Sequence, residues 1–189
     1  MGAPRARVRV TRRGPTAQSD REALLAFAAH VTGSDPSSTI LGRRCPHCRG
    51  TDHGRPWAVA SGRPVGVSLA RTPDVLALAV APGPVGIDIE RRSRVVTAPL
   101  DVQSPGERAR YGDDPDALAA CWAATEAVLK RDGRGLRVEP ALVDVDLQAG
   151  VAHLDGTGHP MMVRWLDDDL VLAVSVDGPV VVDDARARS

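Results

Sequence analysis

The chain has 189 residues, 43% of them hydrophobic, which is enough to bury the core of one domain or of two small ones. One Tyr, one Phe and three Trp leave few platforms for stacked bases, and 24 Lys and Arg against 24 Asp and Glu give zero formal charge. These numbers disfavour base-stacking recognition and bulk electrostatic capture of nucleic acid or an anionic membrane. No apolar run approaches the roughly 20 residues that span a bilayer, and no apolar stretch follows the basic N-terminus. Three cysteines are an odd count. The expectation is a cytoplasmic protein with no membrane and no nucleic-acid partner, and without a disulfide framework.

Residues 1–18 carry Arg5, Arg7, Arg9, Arg12 and Arg13 among turn formers and read as a solvated tail. Ser19, with Glu22 three residues on, predicts a capped helix start; Leu24, Phe27, Ala28 and Val31 form its apolar stripe and Gly33 its end. After a loop at 35–38 and a cysteine segment come short extended runs at 57–60, 64–70, 75–81 and 85–90, punctuated by Gly and Pro. Ser104-Pro105-Gly106-Glu107 is a second capping box, opening a short helix that stops near Gly112. Asp114 caps and Pro115 opens a longer helix with an inward stripe of Leu118, Cys121, Trp122, Thr125, Val128 and Leu129, ended by Gly133. Extended runs at 142–147, 161–166 and 170–176 precede a charged tail from Asp183. Helices beside runs of strands, rather than in strict alternation, predict the α+β class. Two comparable halves, 1–83 and 84–189, are expected to join near Ala81-Pro82-Gly83-Pro84.

Two acidic segments carry the chemistry. In Val85-Gly86-Ile87-Asp88-Ile89-Glu90 the apolar residues alternate with Gly86, Asp88 and Glu90, so both carboxylates leave a strand on one face. In the longer helix Trp122, Glu126 and Lys130 recur at spacing four and share one stripe. Asp88, Glu90 and Glu126 are therefore candidate ligands for a divalent cation, with Lys130 offered to that cation's anionic partner. A different pattern, Cys45-Pro46-His47-Cys48 followed by His53, opens like a zinc knuckle, but Ala58 stands where the fourth ligand belongs. Zn²⁺ at Cys45, Cys48 and His53 is a second candidate metal site.

The acidic segments, in this order and at this separation, resemble the 4′-phosphopantetheinyl transferases, specifically the larger monomeric type that activates carrier proteins of peptide and polyketide synthesis. The family's Gly-Ile/Val-Asp-Ile/Val-Glu strand matches Gly86 to Glu90, and its Trp-x-x-Lys-Glu-Ala-x-x-Lys helix matches Trp122 to Lys130. The resemblance implies a fold of two similar α+β halves in a pseudo-twofold arrangement, and a monomer. It implies Mg²⁺ at Asp88, Glu90 and Glu126, and coenzyme A bound through Gly54, Arg55, Pro56, Arg71 and Lys130. Arg71 follows Ala70 where the family has Ser-His, and Thr125 replaces the family's lysine before the helix glutamate. A guanidinium at Arg71 still suits a phosphate. With Thr125 in place, acid/base work is left to Glu126, to a magnesium-held water or to Lys130.

The implied reaction moves the 4′-phosphopantetheine arm of coenzyme A to a serine of an apo acyl or peptidyl carrier protein and releases adenosine 3′,5′-bisphosphate, as in the biosynthesis of secondary metabolites. Glu126 and Lys130 are the implied catalytic residues. The departures at Ala70, Arg71 and Thr125 keep open a degenerate, non-catalytic module that binds coenzyme A or a carrier protein. The cysteine segment keeps open a zinc-knuckle-like nucleic-acid-binding protein.

Overall fold

The structure, a computed structural model, describes residues 5–45, 47–98 and 102–187. The chain runs β1 (Ala6–Arg12), α1 (Ala17–Thr32), β2 (Thr39–Arg44), β3 (Arg55–Ala60), β4 (Arg63–Arg71), β5 (Val75–Ala81), β6 (Val85–Arg91), α2 (Arg92–Val95), α3 (Pro105–Tyr111), α4 (Pro115–Asp132), β7 (Asp144–Asp146), β8 (Val151–Leu154), β9 (Thr157–Trp165), β10 (Leu170–Val176) and β11 (Val180–Asp184). Helix and sheet are mixed in the α+β manner. The chain divides into two compact units, Met1–Val85 with Gly178–Ser189, and Gly86–Asp177. Among the described residues no helix is long and apolar enough to cross a membrane.

The first unit is a six-stranded sheet in the order β11-β1-β5-β4-β3-β2. The segment expected to be a solvated tail is its strand β1. Ala6, Val8 and Val10 are at most 1% exposed and alternate with the arginines, a period-two pattern that the density of charge disguises. The charged tail expected from Asp183 begins inside a strand, since β11 takes in Asp183 and Asp184. β11 pairs in parallel with β1, and Asp183 meets Arg9 at 3.4 Å.

Helix α1 starts earlier than expected, because the N-cap is Thr16 and Ser19 is the N3 residue of the box. The Ser19 N–H donates to Thr16 Oγ1 at 3.1 Å, while the Thr16 N–H donates to Ser19 Oγ at 3.2 Å. Gly33, left-handed at φ 65°, ends the helix as expected. Leu24 and Phe27 of α1 pack on Leu41, Val67, Leu76 and Leu78 of the sheet. Burying a side chain such as Leu24 contributes about 1.5–3 kcal/mol.

The second unit is a five-stranded sheet in the order β6-β10-β9-β8-β7, with α4 packed on β10 and β9. Both expected caps are present: Ser104 with Glu107 opens α3, and Asp114 with Pro115 opens α4, which Gly133 ends at φ 90°. The second oxygen of Glu107 accepts the Val145 N–H at 2.9 Å and so ties α3 to β7. Helix α4 is more deeply buried than its expected stripe, because Ala119, Ala123, Ala124 and Ala127 are also fully covered. Gly86 explains how close it lies to the sheet. A Cβ at Gly86 would stand 1.9 Å from the Ala127 carbonyl oxygen, so the bare glycine lets α4 run against β6.

Candidate functional site

That close approach builds the acidic cluster. Val85, Ile87 and Ile89 of β6 are buried to within 1%, and Asp88 and Glu90 occupy the alternate positions. On α4 the stripe of Trp122, Glu126 and Lys130 meets them. Lys130 Nζ donates to Asp88 Oδ1 at 2.5 Å, and the Trp122 side chain hydrogen-bonds Glu90. Asp88 is only 5% exposed, and its Oδ2 is buried with no hydrogen-bond partner among the described residues.

Glu90 and Glu126 each feel the charge of Asp88. Burial pushes the Asp88 carboxyl up against the pull of Lys130. Burial, and then the charge of Asp88, push Glu90 up to about 7, with Arg94 pulling the other way. The same two causes raise Glu126. Lys130, with the Arg94 guanidinium 4.0 Å from Glu90, is left to serve three acids, and a hard divalent cation fits what is missing. The unpartnered Asp88 Oδ2 is a ready oxygen ligand for it. The three acids do not converge within the 4.8 Å spread seen at Cys45, Cys48 and His53. Mg²⁺ is ordinarily held by one or two carboxylates with waters completing its shell, so a site for it need not close on all three acids.

The other predicted residues lie in the first unit. Gly54 has φ 92°, and a Cβ on it would stand 2.6 Å from the Arg44 carbonyl oxygen, so only glycine closes this corner. Arg55 and Pro56 follow as the first residues of β3, opposite Arg44 and Arg43. Ala70 is 4% exposed inside β4, and Arg71 ends the strand. Arg71 Nη1 donates to Asp20 Oδ2 at 3.1 Å, and Arg13 Nε approaches the same oxygen at 3.4 Å. Asp20 is 1% exposed, so Arg71 helps neutralise a buried carboxylate. Sequence reasoning missed Asp20, since an acid in a first helical turn also reads as a partner for the helix dipole. Thr125 is 3% exposed and lines a cavity of about 80 Å³ with Leu118, Cys121 and Trp122.

The cysteine segment is the loop between β2 and β3. Cys48 Sγ lies 3.3 Å from His53 Nε2, and His53 Nδ1 lies 2.7 Å from Asp52 Oδ1. The backbone N–H groups of Cys48 and His47 lower the Cys45 thiol to about 7. Ala58, in place of a knuckle's fourth ligand, is buried in β3 at 3% exposure.

Among curated proteins, none is similar enough to the chain to count as a relative. A family model described as the 4′-phosphopantetheinyl transferase superfamily matches residues 84–175, which hold Asp88, Glu90, Glu126 and Lys130. Residues 84–175 thus form a segment of the 4′-phosphopantetheinyl transferase superfamily type, just under half of the chain.

Proposed function

We propose that the chain transfers the 4′-phosphopantetheine arm of coenzyme A to a serine of an apo acyl or peptidyl carrier protein, with Mg²⁺ as the required cation. The observation that carries this reading is the buried, unpartnered Asp88 Oδ2 grouped with Glu90, Glu126 and Lys130 inside the matched segment. Asp88, Glu90 and Glu126 would hold the ion. When bound, it offsets the charge that develops on the pyrophosphate oxygens.

The chain's own groups divide the remaining work. Glu126, its carboxyl raised by burial, accepts the serine proton as the serine oxygen attacks the β-phosphorus. The bond from that phosphorus to the bridging oxygen breaks, and adenosine 3′,5′-bisphosphate leaves. Lys130 presents its ammonium to the phosphate oxygens. Gly54, Arg55 and Pro56 cradle coenzyme A, and Arg71 turns the part of its guanidinium not on Asp20 to the 3′-phosphate. Each unit sets α-helix beside a largely antiparallel sheet, which supports reading the two as related α+β halves.

The test is a mass measurement. Purified chain with Mg²⁺ and coenzyme A should add one phosphopantetheine to an apo carrier protein, and Asp88→Ala should not. Transfer no greater than that of Asp88→Ala across a panel of carriers would overturn the catalytic reading. A buried Thr125, which offers no acid or base beside Glu126, favours a second reading, a module that binds coenzyme A or a carrier protein without transfer. Calorimetric binding of coenzyme A with no mass shift would select it.

A further inference from the structure

The loop 45–54 joins β2 to β3, and a hairpin connection is ordinarily about 2–5 residues. None of its described residues is buried, so no apolar packing offsets the entropy of ordering it. It is nevertheless closed by specific contacts. The Cys45 N–H donates to the Gly50 carbonyl at 2.9 Å, and the Arg49 N–H donates to the Cys45 carbonyl at 3.0 Å. Arg49 takes a left-handed φ of 59°, unusual for a residue other than glycine.

These contacts bring the chemistry together. One ligand atom from each of Cys45, Cys48 and His53 lies within 4.8 Å of the others, the one trio of His, Cys, Asp or Glu among the described residues to do so. Zinc bonds of about 2.3 Å to sulfur and about 2.0 Å to nitrogen, at tetrahedral angles, separate ligand atoms by about 3.5–3.8 Å. The 3.3 Å between Cys48 Sγ and His53 Nε2 is close to that edge.

The surroundings are those of a metal site as well. His53 turns Nδ1 to the Asp52 carboxylate at 2.7 Å, which leaves Nε2 to face the sulfurs, as in a carboxylate–histidine–metal triad. The Gly50 N–H donates to Cys48 Sγ at 3.4 Å, the kind of contact that stabilises a thiolate. A Cβ on Gly50 would come within 3.2 Å of that sulfur and 3.1 Å of the imidazole, so glycine leaves the centre open. Gly54 then turns the chain back so tightly that a Cβ would stand 2.6 Å from Cys45 Cα.

We propose that Cys45, Cys48 and His53 bind one Zn²⁺, oriented by Asp52, and that the ion clasps the hairpin loop that leads into Arg55 and Pro56. Two thiolates and a neutral imidazole are a zinc donor set, and the fourth position falls to solvent. This assignment is independent of the transfer reaction.

The experiment uses the full chain, purified in reductant without a metal-affinity tag. Elemental analysis should find one zinc per chain, and Co²⁺ in its place should show tetrahedral d–d bands with thiolate charge-transfer absorption. Cys48→Ser should lose both signals and Cys121→Ser should keep them, with circular dichroism showing that both variants fold. Asp52→Asn should retain the spectrum and weaken zinc about 10–100-fold against a chelator. Absence of stoichiometric metal after dialysis against free zinc, equal zinc in Cys48→Ser, or a Cys45–Cys48 disulfide that persists in reductant would each overturn the assignment.

Discussion

Lys130 Nζ holds Asp88 Oδ1 at 2.5 Å while Asp88 Oδ2, in the same carboxylate, is buried without a partner among the described residues. One oxygen is neutralised by the chain and the other is left for something else. Lys130 thus has two jobs that a substitution separates. Lys130→Met strands a buried carboxylate beside two others. Breaking a fully buried pair costs about 3–5 kcal/mol, and the 31% exposure of the Lys130 side chain reduces the expected loss to about 2–3 kcal/mol. Because the proposed ion replaces the missing positive charge, millimolar Mg²⁺ should recover most of that loss in thermal unfolding, while transfer stays down about 100-fold or more. An equal loss of stability with and without Mg²⁺ would separate Lys130 from the ion's site.

Glu90 sets a pH dependence of definite sign. Its folded carboxyl is pushed to about 7 by burial and the charge of Asp88, against an ordinary 4.5. Between those values the folded chain keeps a proton that the unfolded chain has released. Stability in chelator should therefore fall as pH rises across that window and level off above about 7. Asp88 and Glu126 are shifted in the same direction, so they reinforce the slope. Mg²⁺ takes the ionised form, so its uptake should release protons, and its apparent affinity should rise with pH up to about 7. Calorimetry in buffers of different ionisation enthalpy measures that release, and Glu90→Gln should diminish it. Unchanged proton release in Glu90→Gln would remove Glu90 from the ion's shell.

Gly86 is the hinge of the site's geometry rather than of its chemistry. Gly86→Ala drives a methyl to within 1.9 Å of the Ala127 carbonyl oxygen and 2.6 Å of the Arg131 nitrogen, both of them backbone atoms. Relief requires α4 to move away from β6. The expected cost is about 3 kcal/mol, the upper end for overpacking, with Mg²⁺ stabilisation lost because Glu126 and Lys130 retreat from Asp88. Chemical denaturation with and without Mg²⁺ checks both effects. A variant as stable as wild type that still gains from Mg²⁺ would show that the helix does not need this contact.

The parts of this molecule that could be read in advance are those whose causes are local. Ser104 with Glu107, and Asp114 with Pro115 and Gly133, announce helix ends because a cap acts within a few residues. Asp88, Glu90, Glu126 and Lys130 could be placed on shared faces because strand and helix periods are themselves local. What escaped depends on distant partners. The alternation of Ala6, Val8 and Val10 becomes a strand only once β5 and β11 flank it, and the valines of β11 wait on β1 across nearly the whole chain. Asp20 and Arg71 are 51 residues apart, and no spacing rule joins them. The Cys45, Cys48 and His53 pattern was visible, but the turn of His53 toward Asp52 was not. Thr16 and Ser19 are both competent caps, and only the geometry shows which one leads.

Arg71 gives the last prediction, because its link to Asp20 and its proposed contact with coenzyme A have different readouts. Arg71→Ala leaves the buried Asp20 carboxylate with Arg13 Nε at 3.4 Å, so some neutralisation survives. The Arg71 side chain is 42% exposed, and solvent screening limits the loss of stability to about 1 kcal/mol. The ligand effect should be larger and selective. A guanidinium on a phosphate is a charge-assisted pair, so affinity for coenzyme A should fall about tenfold or more. Affinity for 3′-dephospho-coenzyme A, which lacks that phosphate, should stay within about twofold of wild type. Arg71→Lys should restore the pair with Asp20 better than the phosphate contact, because a lysine lacks the planar fork. Isothermal titration with both ligands decides the matter: equal losses for the two would take Arg71 off the 3′-phosphate and leave it as the partner of Asp20 alone.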